Sequence, residues 1–181
     1  MPDGGLDAAL RTFTQERRYS AVAVARWLAM TPEDGEALLE LARELRLGEN
    51  QLRDLWDWAE DIASRDQLSV ARVLALEPVR LARRARHVGR NDKLKLVKTA
   101  LRRVRYPQLA AAEERLAALV RELDLPRTVR VRFPEFLEGD EVRVEIVADS
   151  AAALAAAADR VRAAAATDTC KAIFRLLEEA P

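Results

Sequence analysis

Residues 128 to 148 read TVRVRFPEFLEGDEVRVEIVA, and no other stretch limits the fold as strongly. Val129, Val131 and Phe133 alternate with Arg130 and Arg132. After a turn-like segment containing Gly139-Asp140, Val142, Val144 and Ile146 alternate with Arg143 and Glu145. A period of two among β-branched residues around a Gly-Asp turn predicts a β-hairpin with one apolar and one charged face. A lone two-stranded hairpin is marginal in water. Its apolar face must be covered, either by helices of the same chain or by a second copy pairing with its edge.

The remainder reads as helix. Half of the 181 residues are apolar and only 6 are glycine, a composition led by alanine and leucine. Ser20 is placed to open a short helix through Met30. TPED supplies Thr31 as N-cap, Pro32 at the first helical position and acids in the first turn, for a helix to about Leu47 with Gly48 as its stop. A third helix is expected from about Asn50 to Ser64. Ser69 caps a short fourth one that ends at Pro78. PVRLARRARH continues as helix, breaks at 89–91 and resumes as DKLKLVKTALRRVRY. Tyr106-Pro107 marks a boundary, because a residue before proline resists the helical region. The expected fold is mainly α with a small α+β part. A helical bundle over 1–105 ends in basic helices at 80–105. An α-β-β-α module over 106–181 closes with a short helix, CKAIFRLLEEA.

Charge is sorted along the chain although the total is zero. Residues 1–79 carry 9 basic and 15 acidic side chains, and residues 106–181 carry 10 and 14. Between them, residues 80–105 carry 11 cations, namely Arg80, Arg83, Arg84, Arg86, Arg90, Lys93, Lys95, Lys98, Arg102, Arg103 and Arg105, against the single acid Asp92. Such a density suits phosphate neutralisation, with salt-dependent and largely sequence-independent affinity. The competing reading is a solvated helix pair whose cations bind the acidic bundle beside them. A helix-turn-helix over LSVARVLALEPVRLARRARH is disfavoured, since it offers Arg and Lys but little base-reading chemistry.

Other chemistries find little footing. There is no glycine-rich phosphate loop, no HExxH and no GxSxG. His87 is the only histidine and Cys170 the only cysteine, which argues against zinc, a disulfide and an assembled nucleophile. Asp54, Asp57 and Asp61 share a helical face without the loop carbonyls of a calcium site. Trp27, Trp56 and Trp58 read as core and rim. No enzyme activity, metal or cofactor is expected. No apolar run reaches membrane-spanning length and the start lacks a signal-peptide pattern, so a cytoplasmic bacterial protein is expected.

LAAAEERLAALVRELDLPRTVRVRFPEFLEGDEVRVEIVADSAAALAAAADRV resembles the C-terminal dimerisation domain of ParB-type chromosome and plasmid partition proteins. EERL near the middle of a helix, the TVRVRF strand, the EGDEVRVEIVA turn and strand, the DS cap and a helix with Leu154 and Val161 follow that family's order. The likeness covers about 55 of the 181 residues. It implies a homodimer in which two copies exchange hairpins through Val129, Val131, Phe133, Val142, Val144 and Ile146, and DNA contact without sequence preference. The family's arginine-rich nucleotide motif has no counterpart, and this segment is net acidic, so nucleotide hydrolysis and operator reading are not implied. The expected function is thus a non-catalytic, ParB-like DNA-associated dimer. The alternative is a protein-interaction adaptor with no nucleic-acid contact.

Overall fold

Five helices begin where a Ser or Thr side chain can satisfy an orphan backbone donor. Ser20, Thr31, Ser69, Ser150 and Thr167 each accept a hydrogen bond from the N–H three residues on, at 3.1–3.3 Å. Caps of this kind contribute about 0.5–2 kcal/mol each. The computed structural model describes residues 3–179 and separates into two compact units, Met1–Arg105 and Tyr106–Pro181.

The first unit is all helix among its described residues: α1 (Asp3–Glu16), α2 (Ala21–Leu28), α3 (Pro32–Glu44), α4 (Glu49–Asp66), α5 (Val70–Leu74), α6 (Glu77–Arg84) and α7 (Arg90–Arg105). One core joins them. Leu38, Leu41, Leu45, Leu55, Ile62, Val73, Val79, Val97 and Leu101 are completely buried. Trp27 and Trp56 lie in that core with rings 5.8 Å apart, and Trp58 is half-buried. The Trp27 indole N–H donates to the Gly35 carbonyl at 3.2 Å, which satisfies its one polar atom.

Three boundaries differ from the sequence expectation. Gly48 does not stop α3. The left-handed residue is Arg46 (φ 46), with Arg46 N–H donating to Arg43 O and Leu47 N–H to Ala42 O. This is a Schellman end, and full burial of Leu47 offsets the cost of placing a side chain in that conformation. Gly48 instead precedes α4, where its N–H donates to Gln51 Oε1 at 3.4 Å. Pro78 does not terminate α5, which ends at Leu74; it sits in the first turn of α6, where its missing N–H costs nothing. The helix over PVRLARRARH stops at Arg84, and His87 takes a left-handed φ of 62 in the exposed link.

The α1–α2 link is tied by Glu49. The Ser20 N–H and hydroxyl donate to its two carboxylate oxygens at 2.6 and 2.8 Å and hold the carboxyl below the usual carboxylate range. A depressed folded-state value contributes stability above the unfolded pKa and loses it as pH falls through the folded one. Glu49→Gln is therefore expected to lower the melting temperature at neutral pH, with the deficit vanishing in acid; thermal melts across pH check this.

The second unit runs α8 (Pro107–Glu122), β1 (Val129–Arg132), a 3-10 turn (Glu135–Leu137), β2 (Arg143–Ile146), α9 (Ala151–Ala165) and α10 (Asp168–Glu178). The strands are antiparallel in the register Val129↔Ile146, Arg130↔Glu145, Val131↔Val144 and Arg132↔Arg143. The expected hairpin thus stands, although its link is longer than a tight Gly-Asp turn and turns through Phe136 and Leu137 at positive φ. The buried core here is small: Leu109, Ala112 and Leu116 of α8 against Leu137, Ile173, Leu176 and Leu177. α10 packs on α8, while α9 lies against α10 and β2 and buries only Ala157 and Ala164.

Candidate functional site

The basic helices are built on an apolar stripe. Leu94, Val97, Ala100 and Leu101 turn α7 into the core of the first unit, and Val79 does the same for α6. Their cations are thereby presented on the remaining circumference, where α3 and α4 offer carboxylates. Arg83 reaches Glu44 at 2.9 Å and Glu40 at 3.9 Å, and Lys93 shares Glu44 at 3.5 Å. Lys98 pairs with Asp54 at 2.9 Å and Arg105 with Asp61 at 2.5 Å. Arg90 donates to the carbonyls of Leu45 and Arg46 at 2.6 and 2.9 Å and to Gln51 Oε1 at 3.2 Å. That places a guanidinium on the negative end of α3. Among the described residues Lys95 has only the exposed Asp92 at 3.4 Å, and Arg102 and Arg103 are also engaged.

Arg80, Arg84 and Arg86 are the exception. All three are exposed, and none has an ion pair or side-chain hydrogen bond among the described residues. Arg80 and Arg84 stand one turn apart on α6, at the rim of a cleft with Glu40, Glu44 and Leu74. The sequence places eleven cations in one segment, whereas these three have no ion-pair partner among the described residues. A helix-turn-helix is not built here. α5 has five residues and only Ala75 and Leu76 separate it from α6, short of the turn between full helices that the motif uses.

The aspartates of α4 have the same explanation. Asp54 and Asp61 hold α7, and Asp57 lies 2.8 Å from Arg26. Arg26 also pairs with Glu60 and stacks 4.3 Å over the Trp56 ring. Among the described residues no group of His, Cys, Asp and Glu is arranged to hold a metal ion. Cys170 is half-buried at the start of α10, its N–H bound to Thr167 Oγ1.

In the second unit the hairpin's apolar face is unevenly covered. Val129 is buried, Val131, Phe133, Val142 and Ile146 are half-buried, and Val144 is 45 % exposed. Val147, which follows β2, and Leu154 of α9 are 53 % and 48 % exposed. A groove of about 640 Å³ runs between α8 and β1, floored by Leu116, Val120, Val131 and Phe133. On the other face Arg132 pairs with Glu145 at 3.0 Å, while Arg130 and Arg143 point to solvent.

The hydrogen-bond parity identifies what each edge offers. Val147 N–H donates to Thr128 O at 2.9 Å, so Thr128, Arg130 and Arg132 exchange bonds with Val147, Glu145 and Arg143. The backbone groups of Val142, Val144 and Ile146 therefore point away from β1. None of them finds another backbone partner among the described residues. Sequence reading named these residues by their side chains; the edge they form follows only from the register. No helix is long and apolar enough to cross a membrane. The chain matches no protein-family model, no curated protein and no solved structure.

Proposed function

We propose that this chain is a non-catalytic, self-associating protein that joins two copies through its hairpin and holds DNA by charge. The observation that carries this reading is the half-covered two-stranded sheet. It has an exposed Val144 and outward backbone groups on β2, in a unit whose connected core holds seven buried residues among those described. An open edge of this kind is a template for pairing, and two-fold dimers are the commonest oligomers. The resemblance to partition-protein dimerisation domains points the same way, and a place beside DNA in chromosome partition is the role it suggests.

DNA contact rests on Arg80, Arg84 and Arg86, doubled by dimerisation so that weak phosphate contacts act together. With about three phosphates neutralised per copy, retention on immobilised DNA should fall with log salt at a slope near −3 per copy. Arg80→Glu/Arg84→Glu/Arg86→Glu is expected to abolish retention without unfolding the protein. Unchanged retention would remove this contact.

The ion pairs of α6 and α7 with α3 and α4 favour a second reading, an adaptor that binds protein and not nucleic acid. Absence of any retention near physiological salt would select it.

A further inference from the structure

The self-pairing proposed above leaves open which strand edge meets its copy and in what register. We infer that β2 pairs with β2 of a second copy, antiparallel about a two-fold axis at Val144. The sheet order is then β1-β2-β2-β1. The inference rests on the reading that the hairpin self-associates, and goes beyond it by fixing the contact.

Three observations converge on this register. First, the backbone groups of Val142, Val144 and Ile146 are the outward ones on β2. A two-fold axis at Val144 sets Val144 opposite Val144 and Val142 opposite Ile146, joining outward groups to outward groups with about six hydrogen bonds. Second, the charges become self-complementary. The same axis sets Arg143 of each copy opposite Glu145 of the other, on the face away from the apolar side chains. Arg143 has no ion pair within its own chain among the described residues. Third, Val144, the residue on the axis, is itself 45 % exposed, so pairing there covers apolar surface.

The edge of β1 does not meet these conditions. Its outward residues are Val129, Val131 and Phe133, and the Val129 N–H is already bound to Pro126 O at 2.8 Å. A two-fold axis at Val131 would set Arg130 against Arg132 of the other copy twice, and like charges directly opposite are destabilising. An axis at Arg130 or Arg132 would set each arginine against itself. The groove between α8 and β1 consequently stays outside the dimer.

The test uses the full chain with Cys170→Ser as background, carrying Val144→Cys or Val131→Cys, in a glutathione redox buffer. Residues directly opposite across antiparallel strands lie within disulfide reach. Val144→Cys is expected to yield a covalent dimer and Val131→Cys to remain uncrosslinked. A charge exchange is the second arm. Arg143→Glu alone and Glu145→Arg alone should each self-associate about tenfold more weakly. Mixed together they should recover, because the strand that is acidic at both positions then faces, across the axis, the strand that is basic at both. A chain that sediments as a dimer but crosslinks through Val131→Cys overturns the register and leaves self-pairing standing. A chain that sediments as a monomer overturns both.

Discussion

Val144→Pro will leave the chain folded and abolish its self-association. Proline removes one backbone donor, and the parity of the hairpin decides which donor matters. The Val144 N–H points away from β1, so the monomer's own ladder loses no bond. Proline is tolerated in a strand in this situation, at an edge with its N–H side outward. In the proposed dimer the same N–H is one of the two central bonds, and its symmetry mate is lost as well. Self-association should weaken at least about a hundredfold, the combined cost of two broken bonds and their unsatisfied acceptors. Glu145→Pro is the contrast. The Glu145 N–H serves the pairing with Arg130, so this variant should unfold the hairpin itself. Sedimentation reads the first effect and circular dichroism the second. If Val144→Pro stays dimeric, the β2 edge is not the contact.

Leu101→Ala is expected to be the most damaging substitution on the basic helices, more so than any of their charges. Leu101 is completely buried where α7 meets α4 and the core. Truncating a buried leucine costs about 2–5 kcal/mol, the lost transfer energy plus that of the cavity. This is a large fraction of the roughly 5–15 kcal/mol typical of a folded domain. Lys98→Ala, which removes the partly exposed pair with Asp54, should cost under about 1 kcal/mol. The comparison decides what holds α7 in place: the stripe Leu94, Val97 and Leu101 does, and the ion pairs trim its charge. Urea unfolding of the two variants checks the ranking. Near-equal losses would mean that the ion pairs carry more than exposed pairs usually do.

Where a local rule governs, the sequence was readable. The polar caps at Ser20, Thr31 and Ser69 specify helix starts through hydrogen bonds three residues away, and the alternation at 129–133 and 142–146 specifies two strands. α1 was harder to read, because DGGLDAALRTFTQE has two glycines in its first turn, and glycine is a poor helix former. The end of α3 misled for a different reason. Glycine is the usual left-handed residue, but here Arg46 takes that conformation because the burial of Leu47 requires it. The basic segment shows the limit for a site. Eleven cations are plain in the sequence, but the carboxylates that engage Arg83, Lys93, Lys98 and Arg105 lie some forty residues away. Their pairing is a product of helix packing and has no local signature. The same holds for the self-complementarity of Arg143 and Glu145, which needs the register before it can be seen.

Sedimentation equilibrium of the unmodified full chain across micromolar concentrations bears on self-association without any substitution. A concentration-dependent species of twice the chain mass is expected, weakened little by salt because its centre is backbone hydrogen bonding and apolar contact. A single species of one chain mass throughout that range would contradict the pairing of hairpins, and with it the doubling of Arg80, Arg84 and Arg86 on which the proposed DNA contact rests.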